Sequence, residues 1–352
     1  MKIIKKYFPP FLIIIIFLSI LILILPKSRD KGLKNTEYDF GIIAYDKRIS
    51  FKISGDKLEK VKETKPFSKN YTLQKNPFLK IKDSYYTKTS DRAKEGTELA
   101  KIENSLAVNI TKPKDFSINT YTSDNKYFYY TTHNKIVKLD DNLKEIKSSD
   151  YKNNLYSYQL VASNDCLYIL DDRRIFKYSN NLDFIEEIHP SSFDKAASYT
   201  NMAYSKGKLY ISENLKEKNS SNGQYEGSNK IIVYDIETKE ENTIELHYPY
   251  PMQIYVDEVN DNLIIQHYEL YVHEDVWTVY SLKDGSQQQI ELGKYRLADE
   301  ELSAPFFTQK DGLYYFLMSN SILEISGKDM KEKSYSFKDF DISYPNVLLI
   351  GK

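Results

Sequence analysis

The sequence predicts an all-β fold, a β-propeller of about seven four-stranded blades, with one N-terminal transmembrane helix in front of it. Three observations support this prediction. A pattern of apolar runs and polar turns recurs along the chain, the runs alternate with a period of two residues, and a long uncharged segment stands at the N-terminus. Period-two alternation is the signature of half-buried strands. Tyrosine, with 31 copies among 352 residues, also favours pleated surfaces.

The N-terminal segment differs from the rest of the chain and reads MKIIKKYFPPFLIIIIFLSILILILP. Residues 1–6 form a basic tail, and residues 7–26 carry no charge. About 20 apolar residues are needed to cross a bilayer core, so residues 7–26 are expected to span the membrane as an uncleaved signal anchor. A signal peptide with an atypical cleavage site is the alternative.

Basic residues stand on both sides of this segment, so the positive-inside rule does not decide its orientation. A six-residue tail directly before the span is typical of an anchor that keeps its N-terminus inside. The expected arrangement is a cytoplasmic tail (1–6), a span (7–26), a linker (27–37) and a propeller domain (38–352) outside the cytoplasm. The chain is therefore expected to be a single-pass protein of the cell membrane.

Seven units of similar pattern follow the linker. Each has an apolar run, a polar tip, a second apolar run, a polar turn and a third run. The units begin near residues 40, 82, 123, 163, 205, 259 and 309. A further short run precedes the later units, which gives about four strands in about 45 residues. Because one such sheet cannot bury both of its faces alone, the units are expected to stack around an axis.

The two ends of the repeat region are expected to meet. The first unit, at Phe40, lacks a preceding strand, and the chain closes with YPNVLLIGK, a short apolar strand with no hairpin after it. The final strand is expected to complete the first blade and close the ring, which leaves no broad exposed edge. Six or eight blades stay open as alternatives, because the second unit is faint.

The stretches KDGLYYF, SKGKLYIS and NKIIVYDIETKE each place an apolar strand next to a polar turn. In this pattern the chain resembles the bacterial membrane-anchored extracytoplasmic β-propeller proteins, over about residues 38–350. The Trp-Asp signature of WD repeats is absent, since Trp277 is followed by Thr278, and the double glycine of kelch repeats is missing. The resemblance implies a fold and no activity, because this fold hosts many functions.

Composition excludes several classes of protein. The single cysteine, Cys166, excludes an internal disulfide and a cysteine-based metal site. Residues 47–114 hold 17 basic and 8 acidic residues, whereas residues 115–352 carry a net charge of −13. This distribution does not suggest a nucleic-acid partner. The basic region could contact anionic lipid or wall polymers, but solvated lysines are the favoured reading.

Candidate site residues lie at the predicted hairpin tips, which are expected to share one face of the ring. The best chemical candidate is His273-Glu274-Asp275, with His267 six residues before His273. An imidazole beside carboxylates could act as a base or a ligand. A polar hairpin turn is the alternative and the favoured reading, and these residues match no recognised metal-ligand set, so no metal site is expected.

A second candidate is the tip that contains Asp171, Asp172, Arg173 and Arg174. Paired arginines could clamp a carboxylate or phosphate of a ligand. The favoured alternative is that they form ion pairs with the neighbouring aspartates at a solvated tip. His133, at a third tip, has no obvious partner in the sequence.

No catalytic residue and no cofactor are expected. The sequence has no Gly-rich phosphate loop, no nucleophile elbow and no repeated tryptophan of the quinoprotein type. The favoured function is a protein-binding or scaffolding module, with a protein or cell-envelope partner. The alternatives are a small-ligand sensor that reports through the span, and a hydrolase or lyase in which His133, Asp171, Arg173, His273 and Glu274 converge.

Overall fold

The computed structural model of the chain is an all-β propeller of seven blades. The structure describes residues 32–33, 37–67, 71–75, 77–91, 97–113, 117–151, 157–218, 225–268, 272, 275–296 and 305–351. No helix in this part of the chain is long and apolar enough to cross a membrane. The expected span at residues 7–26 lies outside the described residues.

The strands of the first three blades follow one another along the chain. Blade 1 contains β1 (Phe40–Ala44), β2 (Arg48–Ser54) and β3 (Lys57–Thr64). Blade 2 contains β4 (Tyr71–Leu73), β5 (Leu79–Ile81), β6 (Ser84–Asp91), β7 (Glu98–Glu103) and β8 (Val108–Thr111). Blade 3 contains β9 (Tyr121–Ser123), β10 (Phe128–Thr131), β11 (Lys135–Leu139) and β12 (Glu145–Asp150).

The other four blades have the same order, and the last strand of the chain returns to blade 1. Blade 4 contains β13 (Gln159–Ala162), β14 (Cys166–Asp171), β15 (Arg174–Ser179) and β16 (Phe184–Ile188). Blade 5 contains β17 (Ser198–Ser205), β18 (Lys208–Lys218), β19 (Tyr225–Asp235) and β20 (Glu241–Glu245). Blade 6 contains β21 (Pro251–Asp257), β22 (Asn262–His267), β23 (Val276–Ser281) and β24 (Gln287–Glu291). Blade 7 contains β25 (Phe306–Lys310), β26 (Leu313–Leu317), β27 (Ser321–Ser326) and β28 (Glu332–Ser336), and β29 (Pro345–Ile350) follows it.

The ring closes as the sequence predicts. β29 pairs antiparallel with β1, from Phe40 opposite Ile350 to Ala44 opposite Pro345, so blade 1 has the order β29-β1-β2-β3. The middle of β29 is fully buried. The seven repeated units of the sequence supply the second, third and fourth strands of each blade, and the first strand is the short run before each unit.

Blade 2 departs from the four-strand expectation. Its innermost position is divided between β4 and β5, which pair with opposite ends of β6. Pro77 stands between the two short strands, and proline cannot donate to a strand ladder. The hydroxyl of Thr87 on β6 donates instead to the carbonyl oxygen of Gln74.

Apolar residues with left-handed backbone recur in the turns between third and fourth strands. Leu106, Leu143 and Leu182 have φ angles of 58°, 61° and 65°, and each is buried. A positive φ is costly for a bulky side chain, but burial in the core offsets that cost. The Asn-Leu pair that the sequence repeats in blades 3 and 4 therefore marks a core leucine placed by a turn.

The abundant tyrosines lie largely within and between blades, where the hydroxyl reaches a polar turn. Tyr86 donates to the carbonyl oxygen of Asp141 at 2.7 Å, across the boundary between blades 2 and 3. Tyr314 of blade 7 donates to the carboxylate of Asp257 of blade 6, also at 2.7 Å. A tyrosine can thus fill an interblade core and satisfy a buried acceptor in the next blade.

The alternating strands create two different faces. The loop face carries the hairpins between second and third strands together with the connections between blades. The turn face carries the turns between first and second strands and between third and fourth strands. Because consecutive strands run antiparallel, both kinds of connection on the loop face emerge from the same side of every blade.

Candidate functional site

The candidate residues that the structure describes lie on or next to the loop face. His133 lies in the β10–β11 hairpin, Asp172 and Arg173 form the tip of the β14–β15 hairpin, and Asp275 ends the β22–β23 connection. His273 and Glu274 of that connection lie outside the described residues. Part of the β18–β19 insertion, residues 219–224, also lies outside them.

The first pair of the DDRR tip is an ion pair at the end of two strands. Nη2 of Arg174 lies 2.9 Å from the carboxylate of Asp171, and Nη1 lies 3.2 Å from the carboxylate of Glu187. Glu187 also lies 3.1 Å from the imidazole of His189. The guanidinium sits 4.9 Å above the ring of Phe176. Arg174 is thus engaged on several sides by its own blade.

The second pair of this tip is more exposed. Arg173 bonds the carboxylate of Asp172 at 2.9 Å and donates to the carbonyl oxygen of Lys195 at 2.7 Å. The favoured expectation of ion pairs within the tip is therefore met for both arginines. The tip is less solvated than expected, because Asp171 at the end of β14 is only 5% exposed.

His267 is a buried residue of β22 and not part of an open cluster of carboxylates. Its Nδ1 lies 2.7 Å from the carbonyl oxygen of Pro249, and its Nε2 lies 2.8 Å from the hydroxyl of Thr278. A carbonyl only accepts, so these partners assign the proton to Nδ1. Burial lowers the pKa of His267 to about 4, although the bond to Pro249 acts in the opposite direction. His267 is therefore neutral and structural at neutral pH.

Asp275 is held in a buried ion pair. Nε of Arg296 lies 2.7 Å from its carboxylate, and Nη2 makes a second contact with the same oxygen. The two side chains are only 4% and 6% exposed. Asp275 lies in the β22–β23 hairpin connection, as the favoured expectation has it, but Arg296 from the connection between blades 6 and 7 covers it and keeps it from solvent. The sequence did not point to Arg296, which lies 21 residues later in another loop.

Among the described residues, no hydrogen bond or ion pair joins His133 to Asp171 or Arg173. Their described bonds stay within one blade or reach the connection beside it, and His133 is exposed on blade 3. Among the described residues no group of three or more His, Cys, Asp or Glu side chains could hold a metal ion. A hydrolase or lyase site would also need His273 and Glu274, which lie outside the described residues, so the convergence of these side chains stays a prediction.

An aromatic pair on the loop face was not foreseen from the sequence. Tyr45 and Tyr344 are 41% and 82% exposed, and their rings meet edge to face at 6.3 Å between centroids. Tyr45 belongs to the first hairpin of the ring, and Tyr344 precedes the closing strand. Tyr158, in the connection that enters blade 4, is a third exposed tyrosine, 43% exposed.

The backbone holds this pair in place. Tyr344 has a φ angle of 50°, in the left-handed region that is uncommon for a bulky residue. The amide of Tyr45 lies 3.3 Å from the carbonyl oxygens of Ser343 and Tyr344. No local sequence signal predicts the pair, because ring closure brings the two ends of the propeller together.

Several solved structures are similar to this one. They include the dihydro-heme d1 dehydrogenase NirN (TM-score 0.53, 10% identity, 91% of this chain and 77% of that chain). Two others are the Pan2 WD40 domain of Neurospora crassa (0.50, 10%, 78% and 80%) and virginiamycin B lyase of Staphylococcus aureus (0.50, 14%, 76% and 89%).

No protein-family model and no curated protein matches the chain. The similar structures comprise enzymes and a WD40 domain, so they share an architecture and not one activity. At these identities the similarity shows the fold alone: the chain is a seven-bladed β-propeller.

Proposed function

We propose that the chain is a membrane-tethered, extracytoplasmic β-propeller that binds a protein partner through its loop face. The observation that carries this proposal is the exposed pair Tyr45–Tyr344, which lies on the loop face where the ring closes. Tyrosine is enriched at protein interfaces and among the residues that dominate binding energy, because it offers a large rigid surface with a polar end.

The chemistry of the neighbouring tips supports binding over catalysis. Arg173, Arg174 and Asp275 are held by partners of their own chain, and His267 is buried and neutral. A general base must reach its substrate within hydrogen-bond distance, and these groups are already occupied. A rigid face with exposed aromatic rings suits recognition better than proton transfer.

The start of the described chain supports an outward orientation of the loop face. Leu33 is 1% exposed, and its amide bonds the carbonyl oxygen of Ser105 in the β7–β8 turn, which belongs to the turn face. Only six residues separate Pro26, the end of the apolar segment, from Leu33. They reach at most about 25 Å, so a span at residues 7–26 would hold the turn face towards the bilayer.

Photo-crosslinking in intact cells tests the proposal. Benzoylphenylalanine replaces Tyr344 in the full chain, and the matched control carries it in place of Val259, which is 67% exposed on the turn face. We expect one defined protein adduct from position 344 and not from position 259. The change Tyr45→Ala in the same chain should reduce that adduct several-fold, because it removes the other half of the pair.

Two results would contradict the proposal. One is the same set of adducts from both positions, which would indicate chance encounters. The other is an adduct at position 344 that is insensitive to Tyr45→Ala. The folded state of each variant is checked by its circular dichroism and melting temperature, so that loss of the adduct reports on binding.

A further inference from the structure

The turn face contains a cavity of about 320 Å³ near the ring axis. Innermost strands of several blades supply its walls, including the ends of β5, β25 and β29. The cavity lies on the opposite side of the ring from the Tyr45–Tyr344 pair, so it is separate from the proposed partner-binding surface. Its volume is at the lower end of the range for small-ligand sites.

Aromatic rings form much of the wall. Phe78 stacks on Tyr85 at 5.2 Å, and Tyr255 packs against Phe307 at 4.6 Å between ring centroids. Tyr85 also donates its hydroxyl to the carbonyl oxygen of Ile350 at 3.3 Å. These contacts fix the rings before any ligand arrives, which reduces the entropy lost on binding. The wall is suited to a flat or compact apolar body.

Two lysines place positive charge at this wall. Nζ of Lys310 donates to the carbonyl oxygen of Gly351 at 2.6 Å, and Nζ of Lys80 lies 5.6 Å from the ring centroid of Tyr85. A carbonyl oxygen and an aromatic face attract an ammonium group without neutralising it. None of the described residues that line the cavity is acidic. An anion would therefore complement the lining.

We propose that this cavity binds a small organic anion, in which a carboxylate or phosphate group is attached to a single ring or a compact aliphatic body. The charged group contacts Lys80 and Lys310, and the apolar body packs against Phe78, Tyr255 and Phe307. Charge and apolar surface stand side by side in the cavity, so neither an inorganic anion nor a neutral ring satisfies the whole site. The propeller thus carries a ligand site on the turn face, opposite the proposed partner-binding surface on the loop face.

Saturation-transfer NMR on the full chain in phospholipid nanodiscs tests this site. The probes are phenyl phosphate and phenylacetate, compared with benzyl alcohol, which keeps the ring, and inorganic phosphate, which keeps the charge. We expect at least one of the two anionic ring compounds to bind with a Kd of about 1 mM or below. Benzyl alcohol and inorganic phosphate should each bind at least fivefold more weakly.

Variants assign the binding to the cavity. Lys310→Met and Lys80→Met should each lower the affinity for the anionic probe at least fivefold. Lys310→Arg keeps the charge and should retain most of the affinity. The control Lys57→Met removes an exposed lysine elsewhere on the turn face and should have no effect. Equal binding of benzyl alcohol, or binding that survives both Met variants, would overturn the proposal. So would the absence of any saturable signal from either anion.

Discussion

At the scale of single residues, burial decides what the polar side chains near the loop face do. His267 and Asp275 both belong to a stretch of sequence that suggests an open acid–base cluster. In the structure one is a neutral imidazole between a carbonyl and a hydroxyl, and the other is half of a buried ion pair. Both are therefore structural residues. Replacing His267 should change the pH dependence of stability, and breaking the ion pair of Asp275 should lower the unfolding free energy.

His267 should make the stability of the protein depend on pH. Burial lowers its pKa to about 4 in the folded state, whereas the solvated histidine of the unfolded chain has a pKa near 6.5. Between these values the unfolded state binds a proton that the folded state does not, so stability falls as pH decreases. The unfolding free energy of the wild type falls between pH 7 and about pH 4.5. We expect this fall to be smaller by about 2 to 3 kcal/mol in His267→Gln.

Urea unfolding of the wild type and the variant at the two pH values measures this effect. The control is His133→Gln, which makes the same substitution at an exposed histidine, and the effect of His267 is measured relative to it. An identical pH dependence of the unfolding free energy in wild type and His267→Gln would show that folding does not lower the pKa of His267.

The pair Asp275–Arg296 should be far more important for stability than the pair Asp172–Arg173. The side chains of the first pair are 4% and 6% exposed, and those of the second are 56% and 42% exposed. Removing one partner of a buried pair leaves an uncompensated charge, so Arg296→Met should lower the unfolding free energy by about 3 to 5 kcal/mol. Arg173→Met should change it by less than about 0.5 kcal/mol.

The double variant Asp275→Asn/Arg296→Met separates charge from packing in this experiment. The double variant removes the charge of the buried carboxylate as well as that of the guanidinium, so it should be more stable than Arg296→Met alone. If the single and double variants have equal unfolding free energies, the guanidinium acts through its packing and other contacts and not through its charge.

At the scale of elements, β29 determines whether the propeller is a ring. Its residues Val347, Leu348 and Leu349 are completely buried. They belong to one core cluster with residues of blades 1, 2 and 7. Leu348→Ala should lower the unfolding free energy by about 2 to 5 kcal/mol, because it removes core volume at the seam. Chemical denaturation of the variant measures this loss.

The matched control for this change is Ile146→Ala on the outer strand β12, where the side chain is 52% exposed. It should cost less than about 0.5 kcal/mol, because an exposed outer position buries little area. Equal effects of the two substitutions would mean that β29 contributes no more than an outer strand and that the seam is not a tightly packed part of the core.

At the scale of the whole molecule, the proposed membrane anchor and the attachment of Leu33 to the turn face together predict the orientation of the ring on a membrane. A fluorophore is attached at Val259→Cys on the turn face or at Tyr344→Cys on the loop face, in a Cys166→Ala chain reconstituted in vesicles. We expect a quencher in the lipid head groups to quench the fluorophore at position 259 more strongly, since the stretch from Pro26 to Leu33 reaches at most about 25 Å. Equal quenching would indicate a freely tumbling ring.

The sequence by itself determined the propeller architecture of the described ring, while the structure decided the number of blades and the divided inner strand of blade 2. The seven units, the strands within them and the closure by the last strand follow from alternation and turn residues, which act over short stretches of chain. The pairing of Arg173 with Asp172 and of Arg174 with Asp171 was also foreseeable, because the partners are neighbours in one hairpin.

Only the tertiary structure decided which side chains meet across blades and how deeply each is buried. The partnership of Asp275 with Arg296, the neutral state of His267, the pair Tyr45–Tyr344 and the cavity beside Lys80 and Lys310 all depend on loops or strands far apart in the chain. Local patterns select strands and turns, but closing a ring sets distances between residues at opposite ends of the sequence. Burial and pKa follow from those distances.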